Sequence, residues 1–314
     1  MHEPIDLHLI GGCGSSGTTL LAHVLHGTHD IWSGPELAAF HHRALFDEDH
    51  FHRNLYRCVA GQGLRIGLQV GTLDFPLVPG VFFQGRDYYG VPNVDDEHEM
   101  LQEAADLPAL LRWMKAKMAK ARGIEDHFLW LDQTPKNSVC ALEFLQSVPE
   151  SRFIHLIRDG RDVAASLSAR YAREEPGHDE SAYVLASIAR WCFDTRAALR
   201  ARDEPGYLEV RYEDFVKDPL TWTNRILGHL DRPAISREDL ENRESPTDLS
   251  VLLNGAKPTW TSSPSGPITT KAVGRWRGRF SDKVMSCLRD FRFTLQGEPR
   301  EYHFGGQLDE LGYV

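Results

Sequence analysis

The sequence predicts an α/β fold built on a P-loop-like parallel sheet flanked by helices. Three observations predict it. An apolar run with β preference, Ile5 to Ile10, passes through a glycine- and serine-rich turn into an apolar helix-like run, Leu20 to Leu25. Strand-like and helix-like segments then alternate along the chain, the pattern of a parallel sheet covered on both faces. Later, Phe153 to Ile157 reads as another strand, which ends in the tight turn Arg158-Asp-Gly-Arg161 before a further helix. In sheets of this kind ligands bind at the carboxyl ends of the strands.

The first turn carries the most chemistry. Glycine allows tight turning and close approach to an anion, and the helix that follows offers unpaired N–H groups and a positive dipole end. Gly12 and Gly17-Thr18-Thr19 have P-loop spacing, but Thr18 stands where that motif has the lysine that reaches the β- and γ-phosphates of ATP. The loop therefore reads as a phosphate cradle of a type not suited to ATP hydrolysis.

A helix is expected over Thr18–His26, then a short strand or turn over Asp30–Glu36. Residues 40–97 are rich in His, Gly, Asp and aromatics without periodicity, and read as a loop-rich insertion that walls a substrate site. Apolar residues spaced for one face predict a helix between His98 and Arg122. Phe128–Leu131 reads as a buried strand, followed by Asp132-Gln-Thr-Pro-Lys136 and a helix over about Asn137–Gln146. After the Arg158 turn a helix is expected with Asp162 as its N-cap, then a long amphipathic run over Ser181–Arg202. Tyr207–Tyr212 is a strand, and Phe215–Leu230 is mostly helical after Pro219. Residues 242–270 are loop-rich, a basic segment spans 271–283, and a last helix is expected over about Ser281–Phe293. This topology puts Gly12–Thr19, Asp132–Lys136, Arg158–Arg161 and Tyr212 on one rim. A single domain over 1–314 is expected, since that length suits one large α/β unit.

Composition sets the outer bounds. Hydrophobic residues make up 41% and charged residues 25%, as in an ordinary soluble globule. The formal charge of −10 argues against nucleic-acid or general polyanion binding. Five scattered cysteines without a CxxC pair favour free thiols in a reducing compartment and no zinc site. No signal pattern opens the chain and no apolar run is long enough for a bilayer, so a cytoplasmic protein without membrane contact is expected.

Two anion grips on one rim suggest a ligand charged at two places, and an arginine can fork onto a phosphate while a serine hydroxyl adds a donor. In this combination the sequence resembles the sulfotransferases that use 3′-phosphoadenosine 5′-phosphosulfate (PAPS). Gly14-Ser-Ser-Gly-Thr-Thr-Leu20 resembles their 5′-phosphosulfate loop. Phe153–Ser166, with Ser166 eight residues after Arg158, resembles their 3′-phosphate motif. Val-Arg-Tyr-Glu-Asp-Phe215 resembles the strand that delivers a tyrosine to the adenine, and Gly274-Arg-Trp-Arg277 the basic segment that closes over the nucleotide. The matches fall in family order, and the nearest branch contains the tyrosylprotein sulfotransferases and many bacterial enzymes.

The resemblance implies the sulfotransferase fold, PAPS as co-substrate, no metal, and sulfonate transfer to a hydroxyl on a small molecule or peptide, a small molecule being favoured for an acidic chain. It implies cofactor contacts from Gly14, Ser15, Ser16, Gly17, Thr18, Thr19 and Leu20. Arg158 and Ser166, supported by Arg170, would hold the 3′-phosphate, with Tyr212 and Arg275 as further contacts. Glu36, in the branch's Gly-Glu position as Gly34-Pro-Glu36, would be the general base, with His41 and His42 as alternatives. Partial burial would bring its pKa nearer neutrality. The sequence departs from the family at Ser15 and Gln133, where basic residues are usual, and Lys136 is the candidate to supply the missing catalytic charge. Two rivals stay open: a P-loop phosphotransferase using ATP and Mg²⁺, and a non-catalytic nucleotide-binding relative.

Overall fold

A computed structural model describes residues 6–46, 67–70, 73–76, 88–91, 104–125, 127–174, 176–242, 267–295 and 299–313. The chain opens with strand β1 (Leu7–Gly11), helix α1 (Thr18–Leu25) and strand β2 (Ile31–Ser33), followed by a 3₁₀ segment, Ala39–Phe46. Within the 40–97 insertion lies an antiparallel hairpin of β3 (Gly67–Val70) and β4 (Leu73–Pro76); the rest of that insertion, apart from its first residues and 88–91, is outside the described part, as is most of the 242–270 loop. Helix α2 (Leu107–Arg122), β5 (Leu129–Asp132), a 3₁₀ turn over Pro135–Cys140 and α3 (Ala141–Ser147) come next. Then follow β6 (Phe153–Ile157), α4 (Gly160–Glu174), α5 (Glu180–Leu199), β7 (Tyr207–Arg211), α6 (Tyr212–Lys217), α7 (Pro219–His229) and α8 (Arg237–Glu241). The C-terminal region holds 3₁₀ turns at Thr270–Ala272 and Arg275–Gly278, then α9 (Asp282–Arg289), β8 (Arg292–Thr294), β9 (Glu301–His303) and α10 (Phe304–Glu310).

The central sheet is parallel throughout, in the order β2-β5-β1-β6-β7. Every residue of β1, β5 and β6 is buried, which is why these strands read as continuous apolar runs rather than alternating ones. Alternation survives in which face each residue enters. Leu9, Trp130 and Phe153 join the core under α2 and α3, with Met114 and Phe144. Their neighbours Ile10, Leu131 and Ile154 join the opposite core, with Leu21, Phe215 and Ile226 from α1, α6 and α7. A third cluster packs α4 and α5 against the C-terminal elements through Leu167, Trp191, Phe304 and Leu308.

Three expectations change. Helix α2 begins at Leu107 rather than near His98, because Asp106 caps it by accepting from the Ala109 amide at 2.7 Å with Pro108 in the first turn; residues 98–103 lie outside the described part. Asp162 is not an N-cap: α4 already starts at Gly160, where a Cβ would stand 2.7 Å from the Trp191 indole. The helix expected as the last, over about Ser281–Phe293, stops at Arg289 and is followed by a further helix, α10. Beyond Arg289, Phe291, Phe293 and Tyr302 stack at centroid distances of 5.3 and 5.2 Å: Phe291 and Phe293 are two residues apart, and Phe293 faces Tyr302 across the β8–β9 hairpin.

Candidate active site

Because the five strands run in parallel, their carboxyl ends deliver Glu36, the Gly12–Gly17 loop, Asp132–Pro135, Arg158 and Tyr212 to one rim. In the loop, Ser15 (φ 68°) and Gly17 (φ 99°) adopt left-handed conformations. Such alternation turns successive N–H groups inward as an anion nest. Gly17 is needed twice over, since a Cβ there would also lie 2.8 Å from the Tyr212 ring. Ser16 and Thr18 are buried, whereas Ser15, Thr19 and Leu20 are half-buried. The Ser16 hydroxyl is buried without a hydrogen-bond partner among the described residues, a donor left to be satisfied.

Arg158 leaves β6 and braces this loop. Its Nη1 donates to the Ser15 carbonyl (2.8 Å) and its Nη2 to the Ala272 carbonyl (2.5 Å). The guanidinium lies 4.6 Å from the Tyr212 ring centroid, and its buried Nε has no hydrogen-bond partner among the described residues. Asp162, one turn on, holds the basic segment by accepting from the amides of Gly274 (2.7 Å) and Trp276 (2.9 Å). Trp276 in turn carries the Arg161 guanidinium at 4.4 Å from its ring. Tyr212 thus packs between the loop and Arg158. Arg275 is exposed and donates to the Lys271 carbonyl at 3.1 Å.

Ser166 lies on α4 one turn beyond Asp162 and is exposed. Arg170, a further turn on, reaches somewhere other than Arg158. Its Nη2 stands 3.6 Å from the point where a Cβ on Gly14 would sit, and its charge acts on both Cys13 and Glu36. The structure therefore brings Arg170 beside the phosphate loop.

Glu36 follows β2 and is half-buried. Burial is the main cause that pushes its carboxyl up to about 7; Asp132 adds to this, and Arg170 and Arg190 oppose it. Lys136 is buried, with Nζ 2.7 Å from Asp194 of α5, which itself pairs with Arg190. Burial, with Arg190 beside it, draws the Lys136 ammonium below its ordinary range against the pull of Asp194. So Lys136 points inward beneath the loop and does not stand on the rim. His41 is also buried, its Nε2 3.1 Å from the Lys136 carbonyl; the side chain of His42 is outside the described part.

Gln133, where the family pattern has a cation, bridges the site. Its Oε1 accepts from Thr19 (3.3 Å) and its Nε2 donates to the Gly34 carbonyl (3.4 Å). Sequence reasoning placed Asp132–Lys136 on the rim but gave Asp132 and Thr134 no role, and it read Asp162 only as an N-cap. The Asp-x-Thr at a strand end was the available signal for the first two, since such residues cap local backbone. Asp162 had no such signal, because its partners lie 112 and 114 residues away.

A model of the sulfotransferase family matches residues 9–236. No curated protein matches the chain. Among solved structures, the sulfotransferase domain of the curacin biosynthetic pathway superposes with a TM-score of 0.60 at 15% identity, covering 100% of this chain and 99% of that one. The sulfotransferase domain of the Synechococcus PCC 7002 olefin synthase superposes with a TM-score of 0.57 at 19% identity, covering 90% of each. At these identities the likeness is one of fold.

Proposed function

We propose that this chain, which belongs to the sulfotransferase family, moves the sulfonate of PAPS to a hydroxyl acceptor, a small molecule being favoured. The observation that carries the reading is the pairing, on one rim, of an anion nest at Ser15–Gly17 with the Arg158 guanidinium that braces it. The residues present fit such a nucleotide: among the described residues the buried Ser16 hydroxyl and Arg158 Nε have no hydrogen-bond partner, and the Arg170 guanidinium stands against the Gly14 position.

PAPS would supply an activated sulfonate on a 5′-phosphate leaving group. Around it, the backbone N–H groups of Gly14–Leu20 would hold the 5′-phosphosulfate, with the Ser15, Ser16, Thr18 and Thr19 hydroxyls. Arg158 would trade one of its carbonyl partners for the 3′-phosphate, with Ser166 adding a hydroxyl from α4. Tyr212 would flank the nucleotide and Arg275 would reach over it from the basic segment. Arg170, beside Gly14, would serve the 5′ end in this reading, supplying charge that Ser15 and Gln133 do not. Lys136, held by Asp194, would add its charge from below through the Cys13 end of the loop, on which it acts electrostatically.

Glu36 would take the acceptor's proton as its oxygen attacks. A carboxylate displaced to about 7 suits that task, since a general base works best with a pKa near the operating pH. Incubation with ³⁵S-labelled PAPS and a panel of hydroxyl compounds tests the proposal. Label should pass to one class of acceptor, and Glu36→Ala should suppress the transfer. Hydrolysis of ATP with Mg²⁺ and no transfer of label would favour a phosphotransferase instead.

A further inference from the structure

The segment that carries Glu36 is fastened to the neighbouring strand by one pair of side chains. The amides of Leu37 and Ala38 donate to the Thr134 Oγ1 at 2.9 and 2.7 Å, and the Ala39 amide donates to Asp132 Oδ2 at 2.7 Å. Three consecutive N–H groups facing one way form a nest. Its cost is visible at Ala38, a non-glycine residue held at φ 54°. With two donors on its oxygen, the Thr134 hydroxyl spends its own hydrogen on Asp132 Oδ1 at 2.7 Å. That Oδ1 also accepts from the Thr134 amide at 3.1 Å. Asp132 is only 2% exposed and Thr134 5%, so this network is sheltered from water and each bond in it is costly to lose.

Between these two residues stands Gln133, tied to Thr19 of the phosphate-loop helix and to the Gly34 carbonyl. Three successive residues at the end of β5 therefore fix the Glu36 segment on one side and the phosphate loop on the other. We propose that Asp132 and Thr134 are positioning residues for Glu36, which clamp the backbone of 37–39 so that the carboxylate stands at a set place against the phosphate loop. This rests on the reading of Glu36 as the general base.

Asp132 acts on Glu36 in a second way, by charge. The groups that act on Glu36 are Asp132 from β5, which makes its proton harder to lose, and Arg170 from α4 and Arg190 from α5, which make it easier. Beside it the Tyr89 hydroxyl donates to the Pro35 carbonyl at 2.5 Å, and the charge of Glu36 helps push that phenol up. Neutralising Asp132 removes the repulsive partner and leaves both arginines.

Three variants of the full chain test the proposal. Thr134→Val keeps the shape and removes the hydroxyl; kcat should fall by about 10²-fold, as for a misplaced reacting group, with the dissociation constant of 3′-phosphoadenosine 5′-phosphate (PAP) unchanged. Thr134→Ser should restore most of the rate. Asp132→Asn should move the acid limb of the kcat/KM profile to lower pH, and ¹³C-detected titration of the Glu36 carboxyl should show the same shift without any turnover. Wild-type kcat in Thr134→Val, an equal loss of PAP affinity in it, or an unmoved Glu36 titration in folded Asp132→Asn would each overturn the clamp. If Asp132→Asn does not fold, the Thr134 pair decides. Absence of sulfonate transfer by the wild-type protein would sink the sulfotransferase proposal itself, while the carboxyl titration would still read the clamp.

Discussion

Replacing Glu36 by glutamine should make the protein more stable and nearly inactive at the same time, in a pH-dependent way. The carboxyl is displaced from the ordinary glutamate value of 4.5 to about 7, mainly by burial. A raised folded-state pKa means that the fold favours the protonated form. The resulting penalty is absent below about pH 4.5, grows as the pH rises, and is complete above about 7. At about 1.4 kcal/mol per tenfold, the full displacement is about 3 kcal/mol, and the partial exposure of the residue reduces this to about 1–2 kcal/mol. Glu36→Gln should therefore gain roughly 2–4 °C in Tm at pH 8 and only about a quarter of that at pH 5. Activity should show the opposite pattern. With the base at about 7, wild-type kcat/KM should fall about fivefold between pH 7 and pH 6 as it is protonated, whereas Glu36→Gln should lose about 10²–10⁴-fold at pH 8 and lose the acid limb. Calorimetric melting and labelled-sulfonate transfer across pH 5–9 read both. A variant that keeps half the wild-type rate, or that melts earlier at pH 8, would refute the reasoning.

Other substitutions separate the two ends of the nucleotide. Arg158→Ala should weaken PAP by about 10–10²-fold more than 5′-AMP in calorimetric titration, the worth of a charged hydrogen bond, the loss shared by both nucleotides being that of the loop brace at Ser15; equal losses would remove Arg158 from the 3′ end. Arg170→Ala should weaken both nucleotides alike, because its guanidinium stands beside Gly14, and a loss confined to PAP would move it to the 3′-phosphate. Lys136→Ala should cost about 3 kcal/mol in urea unfolding, at the low end for a broken buried pair because Arg190 still partners Asp194. An unchanged midpoint would mean that the pair contributes nothing to the fold.

Much of this arrangement was legible in the chain because it is local. The Gly12–Thr19 spacing already dictates a strand, a nest and a helix N-terminus, and the apolar runs at Leu129–Leu131 and Phe153–Ile157 could hardly be anything but buried parallel strands. Raised pKa at Glu36 was expected from partial burial alone. What stayed hidden depends on distant partners. Lys136 turns inward because Asp194, 58 residues away, is buried with it. Asp162 serves the basic segment and not its own helix, through amides of Gly274 and Trp276. Arg170 follows the spacing of a 3′-phosphate ligand, yet two turns of α4 beyond Asp162 carry it to Gly14. The C-terminal hairpin was missed because Phe291 and Phe293 are too short an alternation to compete with the helical pattern before it, and their partner Tyr302 lies on the other strand.

The most direct measurement is a calorimetric titration of the wild-type protein with PAP, 5′-AMP and ATP·Mg²⁺ under one set of conditions. Two separated anion grips predict that PAP binds at least about 10-fold more tightly than 5′-AMP, with ATP·Mg²⁺ no better than 5′-AMP. Tighter binding of ATP·Mg²⁺ than of PAP, or no preference for the 3′-phosphate, would contradict it.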